Sequence, residues 1–332
     1  MHRNILLCCR KIAIFVLCLC LMDVVLGGLS RLLFFHQRSG KFYRIHAAMA
    51  LANQRLFVFG SSHAASHYVP AVLEKELGLS CYNAGVLGQE ILFHRTLESV
   101  ILRRTTPEVI VLDVDPSMLY YSSDAYDRLA ELRPFYYLYP EIIGPALDHR
   151  SNLETLFLQS KLYQYNSTLA HVIRYWVSPQ PDSNGYRPAY GVMRAPTAEE
   201  EREEAATGRA FRANRKLDPV MIEALKRFSE DALRKNIHIF FFVSPGALPY
   251  DAEDNASLLK IKAIADETGV PLFDHRNDPG FLRNYMLFYD SGHLNDNGAR
   301  LYSRMVAETI RQHLTAMSGQ SLSGNRGLEP GS

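Results

Sequence analysis

Short, continuously apolar runs alternate along this chain with longer stretches whose apolar residues recur at helical spacing. The clearest runs are RLFVFG, PEVIVLDVD and NIHIFFFVSP, at 55–60, 107–115 and 236–245. Runs of this length without a polar face are typical of parallel strands that are covered on both sides. GLSCYNAG and GVPLFDHR are weaker strand candidates, each opened by glycine and closed by turn or polar residues. The pattern predicts three central strands and two weaker ones.

Amphipathic stretches separate or follow these runs. The last of them opens with Asn and Asp residues suited to N-capping. The four stretches are QEILFHRTLESVILRRT, LDPVMIEALKRFSEDALRK, DNASLLKIKAIADETG and NDNGARLYSRMVAETIRQHLTAM. Strand followed by helix, repeated along the chain, predicts an α/β fold with a doubly wound parallel sheet and helices on both of its sides.

Two segments depart from the alternation. The interval 116–215 is rich in aromatic residues and ends in the charged stretch TAEEEREEAATGRAFRANRK. We interpret this interval as an insertion of helices and loops above one edge of the sheet, with the charged stretch as a solvated helical face. Its aromatic residues either form the insertion's own core or stack on sugar rings. The Gly/Ser-rich tail, 318–332, is predicted to be disordered.

The N-terminus carries an apolar run of 18 residues at 12–29, preceded by Arg3, Arg10 and Lys11. Its length is near the lower limit of a membrane span, and it exceeds the core of a signal peptide. Asp23 would lie inside the span at a cost of roughly 3 kcal/mol. We interpret 1–30 as an uncleaved single-pass anchor in the cytoplasmic (inner) membrane, and 31–54 as a juxtamembrane linker. The α/β domain, 55–317, would then lie in the periplasm or another extracytoplasmic space. A cleaved signal peptide and a buried hydrophobic helix are the alternatives.

Charge and cysteine content narrow the function classes. Lys and Arg total 36 against 35 for Asp and Glu, so a net charge of +1 gives no electrostatic reason to expect a nucleic-acid partner. Cys81 is the only cysteine beyond the N-terminal segment, which excludes a disulfide framework or a cysteine-based zinc site there. His63, His67 and His94 match no common zinc spacing. We therefore expect neither a metal nor another cofactor.

Candidate chemistry lies where the first strand ends, in FGSSHA. A serine on a tight turn between a strand and a helix is exposed, and backbone N–H groups can meet the oxyanion that follows its attack. Such a serine needs a histidine to take its proton and a carboxylate to orient that histidine. The segment DSGH supplies both, as Asp290 and His293. Each segment alone is equally consistent with a helix cap or a turn. Asp274 and His275 form a second, reserve pair.

Together these segments resemble the SGNH (GDSL-like) hydrolase superfamily, whose fold is a flavodoxin-like three-layer α/β sandwich. In FGSSHA, Ser61 stands where the family has aspartate, and Ser62 matches the nucleophile. In DSGH, Asp290 and His293 match the family's Asp-x-x-His. In CYNAGVLGQE, Gly88 falls at the oxyanion-hole glycine, preceded by Asn83 and Gly85.

The third family block departs from the pattern, because VLDVDPSM contains no asparagine. Asp113 and Asp115 lie nearby, but a carboxylate cannot donate to an oxyanion unless it is protonated. The resemblance therefore implies an oxyanion hole built from the N–H groups of Ser62 and Gly88, with Asp115 as a further candidate.

GSSH behind an N-terminal anchor resembles the membrane-tethered branch of the superfamily, which includes proteins of alginate O-acetylation and teichoic acid D-alanylation. This resemblance implies a serine acyltransferase or acylesterase acting on O-acyl, chiefly O-acetyl, groups of a cell-surface polysaccharide. Its implied partners are that acylated polymer, the membrane, and a membrane-bound O-acyltransferase. The alternative is a catalytically inactive polymer-binding or assembly subunit of a polysaccharide-modification complex.

Overall fold

Five short parallel strands form one sheet in the computed structural model, which describes residues 2–166, 168–180, 182–251 and 255–324, with side chains described up to Met317. The strand order is β2-β1-β3-β4-β5, in which β1 pairs with both β2 and β3. This is the doubly wound order of flavodoxin-like folds. The strands are β1 (Leu56–Phe59), β2 (Cys81–Asn83), β3 (Val109–Asp113), β4 (His238–Val243) and β5 (Leu272–Asp274).

Helices make up most of the remaining regular structure in the described residues. They are α1 (His2–Phe35), α2 (Lys41–His46), α3 (Ser62–His67), α4 (Pro70–Leu77), α5 (Ile91–Arg104), α6 (Ser123–Arg128), α7 (Pro140–Asp148), α8 (Glu154–Phe157), α9 (Leu169–Val177), α10 (Ala198–Ala213), α11 (Pro219–Arg234), α12 (Ala256–Thr268) and α13 (Asp296–Gly324). A π-helix covers Ala47–Leu51, and 3₁₀ helices cover Leu129–Leu138, Tyr163–Tyr165 and Tyr285–Leu287.

The chain divides into two compact units. The helical unit comprises the chain up to Leu51 together with Ser122–Asp182. The α/β unit comprises Ala52–Tyr121 and the chain from Ser183 onward. The segment 183–215, which includes α10, thus belongs to the α/β unit, although the insertion was predicted over 116–215. The predicted linker, 31–54, holds the end of α1, all of α2 and the π-helix.

Side-chain alternation along β1 builds the layers of the α/β unit. Leu56 and Val58 face the cluster that contains Tyr302 of α13 and Leu73 of α4. Phe59 points to the opposite face, where its ring meets Phe228 of α11 at 5.3 Å between centroids. Helices α3, α4 and α13 pack together, as do α5 and α11. The predicted fold class, a three-layer α/β fold with a doubly wound parallel sheet, is confirmed.

Aromatic side chains form the core of the helical unit. The ring of Phe34, near the end of α1, lies 5.4 Å from Phe135 and 5.6 Å from both Phe42 and Tyr165. Aromatic residues of the insertion therefore contribute to a core that they share with α1 and α2. In the described residues α1 is the one helix that is long and apolar enough to cross a membrane, and little of it is buried. It is compatible with a signal anchor or a single membrane span.

Helix α10 carries the charged stretch and buries none of its residues. It begins with a reciprocal cap, in which Thr197 accepts from the Glu200 N–H and Glu200 accepts from the Thr197 N–H.

Helix α13, near the C-terminus, extends to Gly324, beyond the predicted start of the disordered tail at 318. The last part of that tail, 325–332, lies outside the described residues.

Candidate active site

The turn after β1 places Ser62 at the carboxyl edge of the sheet. Gly60 has φ +134°, and a Cβ at this position would lie 2.6 Å from the carbonyl oxygen of Asp113. Only glycine therefore allows β1 and β3 to lie this close at the turn. Helix α3 begins at Ser62, and the carbonyl of the preceding residue, Ser61, accepts the first helical hydrogen bond, from the Ala65 N–H at 3.2 Å. The Ser62 side chain is half-buried.

The loop before α13 is tightly closed on itself. The N–H of Tyr289 donates to the carbonyl of His293 at 2.7 Å. The Asp290 carboxylate accepts from the backbone N–H of Gly292 at 3.0 Å and of His293 at 2.8 Å. These two bonds to backbone groups of the same loop fix the orientation of the Asp290 carboxylate independently of any side chain.

Ser62, His293 and Asp290 form a hydrogen-bonded chain. The Ser62 Oγ lies 2.8 Å from His293 Nε2, and His293 Nδ1 lies 2.9 Å from Asp290 Oδ1 and 3.1 Å from Oδ2. Because an ionised carboxylate only accepts hydrogen bonds, Nδ1 carries the proton and Nε2 accepts from the serine hydroxyl. The structure thus brings together the three residues predicted from two segments 231 positions apart. A serine poised in this way can be activated as a nucleophile.

The imidazole of His67 holds the loop that carries His293 against α3. His67 is fully buried, and its Nε2 accepts the backbone N–H of Leu294 at 3.0 Å. Burial, reinforced by the neighbouring His63 and His293, holds the pKa of His67 well below its usual value. His67 is therefore neutral and can accept this bond. The Ser303 Oγ of α13 accepts the Val69 N–H at 2.8 Å and further fixes α13 against the end of α3.

His63 and Asp113 form a second histidine–carboxylate pair beside Ser62. Their nearest atoms, His63 Nδ1 and Asp113 Oδ1, are 3.8 Å apart, beyond hydrogen-bond length. Asp113 is buried at the end of β3, and its Oδ2 accepts the hydroxyls of Tyr68, at 2.6 Å, and Ser244. Burial raises the pKa of Asp113, against the opposing effects of His63 and the two hydroxyls. Oδ2 of Asp113 thus serves structural partners, while Oδ1, which faces His63, is buried without a hydrogen-bond partner in the described residues.

The residues predicted for the oxyanion hole lie in two turns. Gly88, with φ +71°, is in the turn between β2 and α5. That turn is tied to β1 because the Val86 N–H donates to the carbonyl of Gly60 at 3.0 Å. Asn83 donates to the carbonyls of Ala64 and Tyr68 at 2.7 and 2.8 Å, so it holds the β2 end against α3. The role of Gly88 stays a prediction.

Asp115 lies in the turn after β3. Its Oδ1 accepts the backbone N–H of Ser117 at 2.7 Å. A carboxylate donates to an oxyanion only when it is protonated, so the role of Asp115 in the oxyanion hole stays a prediction.

A cavity of about 560 Å³ in the α/β unit opens beside these groups. His63, Ser244 and Gly292 line one side, and residues of α10, including Arg209 and Arg212, line the other. The Arg212 and Arg276 guanidinium groups lie 5.2 and 4.2 Å from the centre of the Tyr250 ring. This volume lies within the range of small-molecule sites.

Sequence reasoning did not predict contributions from Tyr68, Ser244 or Arg276. Ser244 had a usable signal, since it closes the apolar run of β4 at the same sheet edge as Ser62. Asp274, in the reserve pair, is bound by Arg276 at 2.8 and 2.5 Å, and so serves an ion pair. In the described part of the chain, no group of three or more His, Cys, Asp or Glu residues could hold a metal ion.

Comparison with known proteins adds little to this geometry. No family model matches the chain, and no curated protein sequence does. Among solved structures, the chain is similar to the crystal structure of an acetyl xylan esterase, AlAXEase, with 14% identity and a TM-score of 0.36 over 78% of this chain and 98% of that chain. The fold class therefore rests on the strand order and the helix layers, and any function rests on the site itself.

Proposed function

We propose that the protein is a membrane-anchored serine acyltransferase or acylesterase that acts on O-acyl groups, chiefly O-acetyl groups, of a cell-surface polysaccharide. The observation that carries this proposal is the 2.8 Å contact between the Ser62 Oγ and His293 Nε2. His293 is in turn oriented by a carboxylate that two backbone N–H groups hold in place. A serine hydroxyl, a base and an orienting carboxylate are the groups that acyl transfer needs.

In the proposed first step, the Ser62 oxygen bonds to the acyl carbonyl carbon while its proton moves to His293 Nε2. Asp290 stabilises the resulting imidazolium through Nδ1. The tetrahedral intermediate then expels the sugar oxygen, which takes the proton back from Nε2, and an acyl-serine remains. Water or a second sugar hydroxyl then gives its proton to His293 Nε2 as it attacks the acyl carbon, and the Ser62 oxygen leaves and takes that proton back, which frees the acid or the new ester. Hydrolysis and transfer thus differ only in the acceptor.

The oxyanion would be met by backbone N–H groups of Ser62 and Gly88, as the family resemblance implies. The first N–H groups of a helix have no intrahelical partner, which makes the Ser62 N–H suitable as a donor. Asp115 is given no donor role in this proposal, because its carboxylate accepts from Ser117. A hole with two backbone donors supports acyl chemistry with smaller rate enhancement than one with a third, side-chain donor.

The cavity beside His63 supports a carbohydrate or acyl ligand. About 560 Å³ is enough for a group of small-molecule size, and Tyr250 adds an aromatic surface to its lining. The proposal includes an extracytoplasmic location and a partner that supplies acyl groups, a membrane-bound O-acyltransferase. Both parts require that the apolar helix α1 anchors the protein in a membrane. The sequence resemblance motivates both.

A fluorophosphonate probe on the full-length protein in detergent micelles tests the proposal. We expect covalent labelling of the wild type, none of Ser62→Ala, and undiminished labelling of the matched control Ser61→Ala. Circular dichroism spectra of the three proteins establish that each is folded. A folded wild type that is not labelled would refute the enzymatic proposal and favour the non-catalytic polymer-binding or assembly subunit.

Acetylated oligosaccharides separate hydrolysis from transfer. Acetate released in the absence of an acceptor sugar indicates an esterase. Acetyl groups that appear on an added unacetylated oligosaccharide, with little free acetate, indicate a transferase.

A further inference from the structure

Charged residues mark out the part of α1 that a bilayer would cover. Lys11 and Arg31 are twenty positions apart, which corresponds to about 30 Å along a helix, the thickness of a hydrocarbon core. Between them the exposed large side chains are apolar, among them Val16, Val25 and Leu29 at 50, 65 and 53% exposure. A bilayer crossed by α1 therefore has its hydrocarbon core between Lys11 and Arg31.

Asp23 lies inside this interval, about 12 Å along the helix before Arg31. Its carboxylate accepts from Ser160 Oγ at 2.5 Å and from the backbone N–H groups of Lys161 and Leu162 at 2.9 and 3.1 Å. A Cβ on Gly27 would lie 2.5 Å from Lys161 Cβ, so the segment packs directly on α1. The Asp23 carboxylate is thus hydrogen-bonded by protein groups at hydrocarbon depth, and the segment that binds it must lie at that depth too.

The segment just before these donors has its polarity reversed. Glu154 of α8 is buried in ion pairs with Arg133 and with Arg150, the latter at 2.7 Å. Three large apolar side chains are exposed instead, Leu153, Leu156 and Phe157 at 53, 64 and 46%, while Leu158 is buried. Charged groups inside and apolar groups outside are typical of surfaces that face lipid rather than water.

Trp176 of α9 lies near the Arg31 end of the interval between Lys11 and Arg31. Its Nε1 donates to the carbonyl of Leu33 at 3.2 Å, and the side chain is 51% exposed. Its neighbours Ile173 and Val177 are 54 and 82% exposed. Tryptophan is enriched where hydrocarbon meets head groups. Leu33 is two residues beyond Arg31, the residue that ends the apolar surface of α1.

We propose that the segment 153–162 of the helical unit enters the hydrocarbon of the leaflet on the Arg31 side, against α1, with Trp176 at the interface. The lipid acyl chains of that leaflet cover Leu153, Leu156 and Phe157. Lys161, which is exposed, extends its long side chain toward the head groups. This inference rests on the proposed membrane anchorage of α1. It makes the segment 153–162 a second membrane contact beside α1, which restricts the tilt and rotation of the helical unit on the bilayer.

Because Trp176 is the single tryptophan of the chain, fluorescence of the full-length protein in nanodiscs tests the inference directly. Lipids that carry a doxyl quencher either near the head group or near the middle of the acyl chain report depth. We expect Trp176 to be quenched more by the shallow quencher. In a Trp176→Phe background, we expect Leu156→Trp to have blue-shifted emission and to be quenched by the deeper quencher.

Two further variants in the same background separate the possible failures. Val16→Trp reports the insertion of α1, and Leu233→Trp, on the surface of the α/β unit, is the water-exposed control. Quenched Val16→Trp with unquenched Leu156→Trp would overturn the inference and leave the anchor intact. Unquenched Val16→Trp would overturn both. Blue-shifted Leu156→Trp that no lipid quencher affects would mean a protein cover, which also overturns the inference.

Discussion

Two regions beside Ser62 each combine a carboxylate with an imidazole, yet only one of them is arranged for proton transfer. In the loop before α13, Asp290 and His293 are 2.9 Å apart, and His293 Nε2 reaches the serine. At the end of β3, Asp113 lies 3.8 Å from His63 and is occupied by Tyr68 and Ser244. The comparison shows that residue type and proximity do not make a base, whereas an imidazole that is hydrogen-bonded both to its carboxylate and to the nucleophile can act as one.

The largest expected effect comes from breaking the Ser62–His293 contact. Ser62→Ala and His293→Gln should each lower kcat/KM for an acetyl ester on the order of 10⁶-fold, because either change removes the activated nucleophile. The double variant should lose no more than the single ones, since the residues act as a unit. Ester hydrolysis by purified full-length variants measures this. A His293→Gln enzyme with near wild-type turnover would assign the base elsewhere.

The next effect tests the orienting carboxylate. Asp290→Asn should lower kcat on the order of 10⁴-fold, because an amide that donates to Nδ1 leaves the proton on Nε2, the wrong tautomer for accepting from Ser62. The KM should change little. Steady-state kinetics give both values, and a mainly KM-based loss would instead indicate that Asp290 binds substrate.

The same substitution at the second pair should be nearly silent. Asp113→Asn keeps an oxygen that accepts from Tyr68 and Ser244, so we expect less than about a tenfold change in kcat. Asp113→Ala should lower the free energy of unfolding by about 2 kcal/mol, since it leaves two buried hydroxyls without their acceptor. Kinetics and urea unfolding measure the two effects. A loss for Asp113→Asn as large as that for Asp290→Asn would remove the distinction between the pairs.

The smallest effect concerns the neutral imidazole, His67. Its folded pKa is far below the unfolded value of about 6.5, so unfolding takes up a proton below that pH. The stability that this group contributes is present above pH 6.5 and is lost as the pH falls through it. Relative to His67→Gln, the wild type should lose on the order of 1 kcal/mol per pH unit below 6.5. Parallel urea titrations at several pH values measure this, and equal slopes would mean that His67 is protonated in the fold.

The site shows how far prediction from the sequence reached. FGSSHA and DSGH could be singled out because glycine-led turns at strand ends expose polar side chains at one edge of a parallel sheet. The partners of Asp113 could not be predicted in this way. Tyr68 follows α3, 45 positions before Asp113, and Ser244 follows β4, 131 positions after it. Hydrogen bonds between such distant residues leave no local pattern.

The division of the chain into two units was harder to predict from the sequence. Asp23 conflicted with the predicted span, and its neighbours gave no sign of a partner. The partner, Ser160, is 137 positions away, in a segment whose aromatic residues only indicated a separate insertion. Grouping 122–182 with the N-terminal helix needed contacts of this range.

The sequence by itself determined the alternation of strands and helices, the apolar character of α1 and the two polar turns, since each depends on residues close along the chain. The tertiary structure decided which imidazole contacts Ser62, which carboxylate is hydrogen-bonded to that imidazole, and which groups bind Asp23. Those outcomes depend on distances between atoms that only the packing of the folded chain brings together.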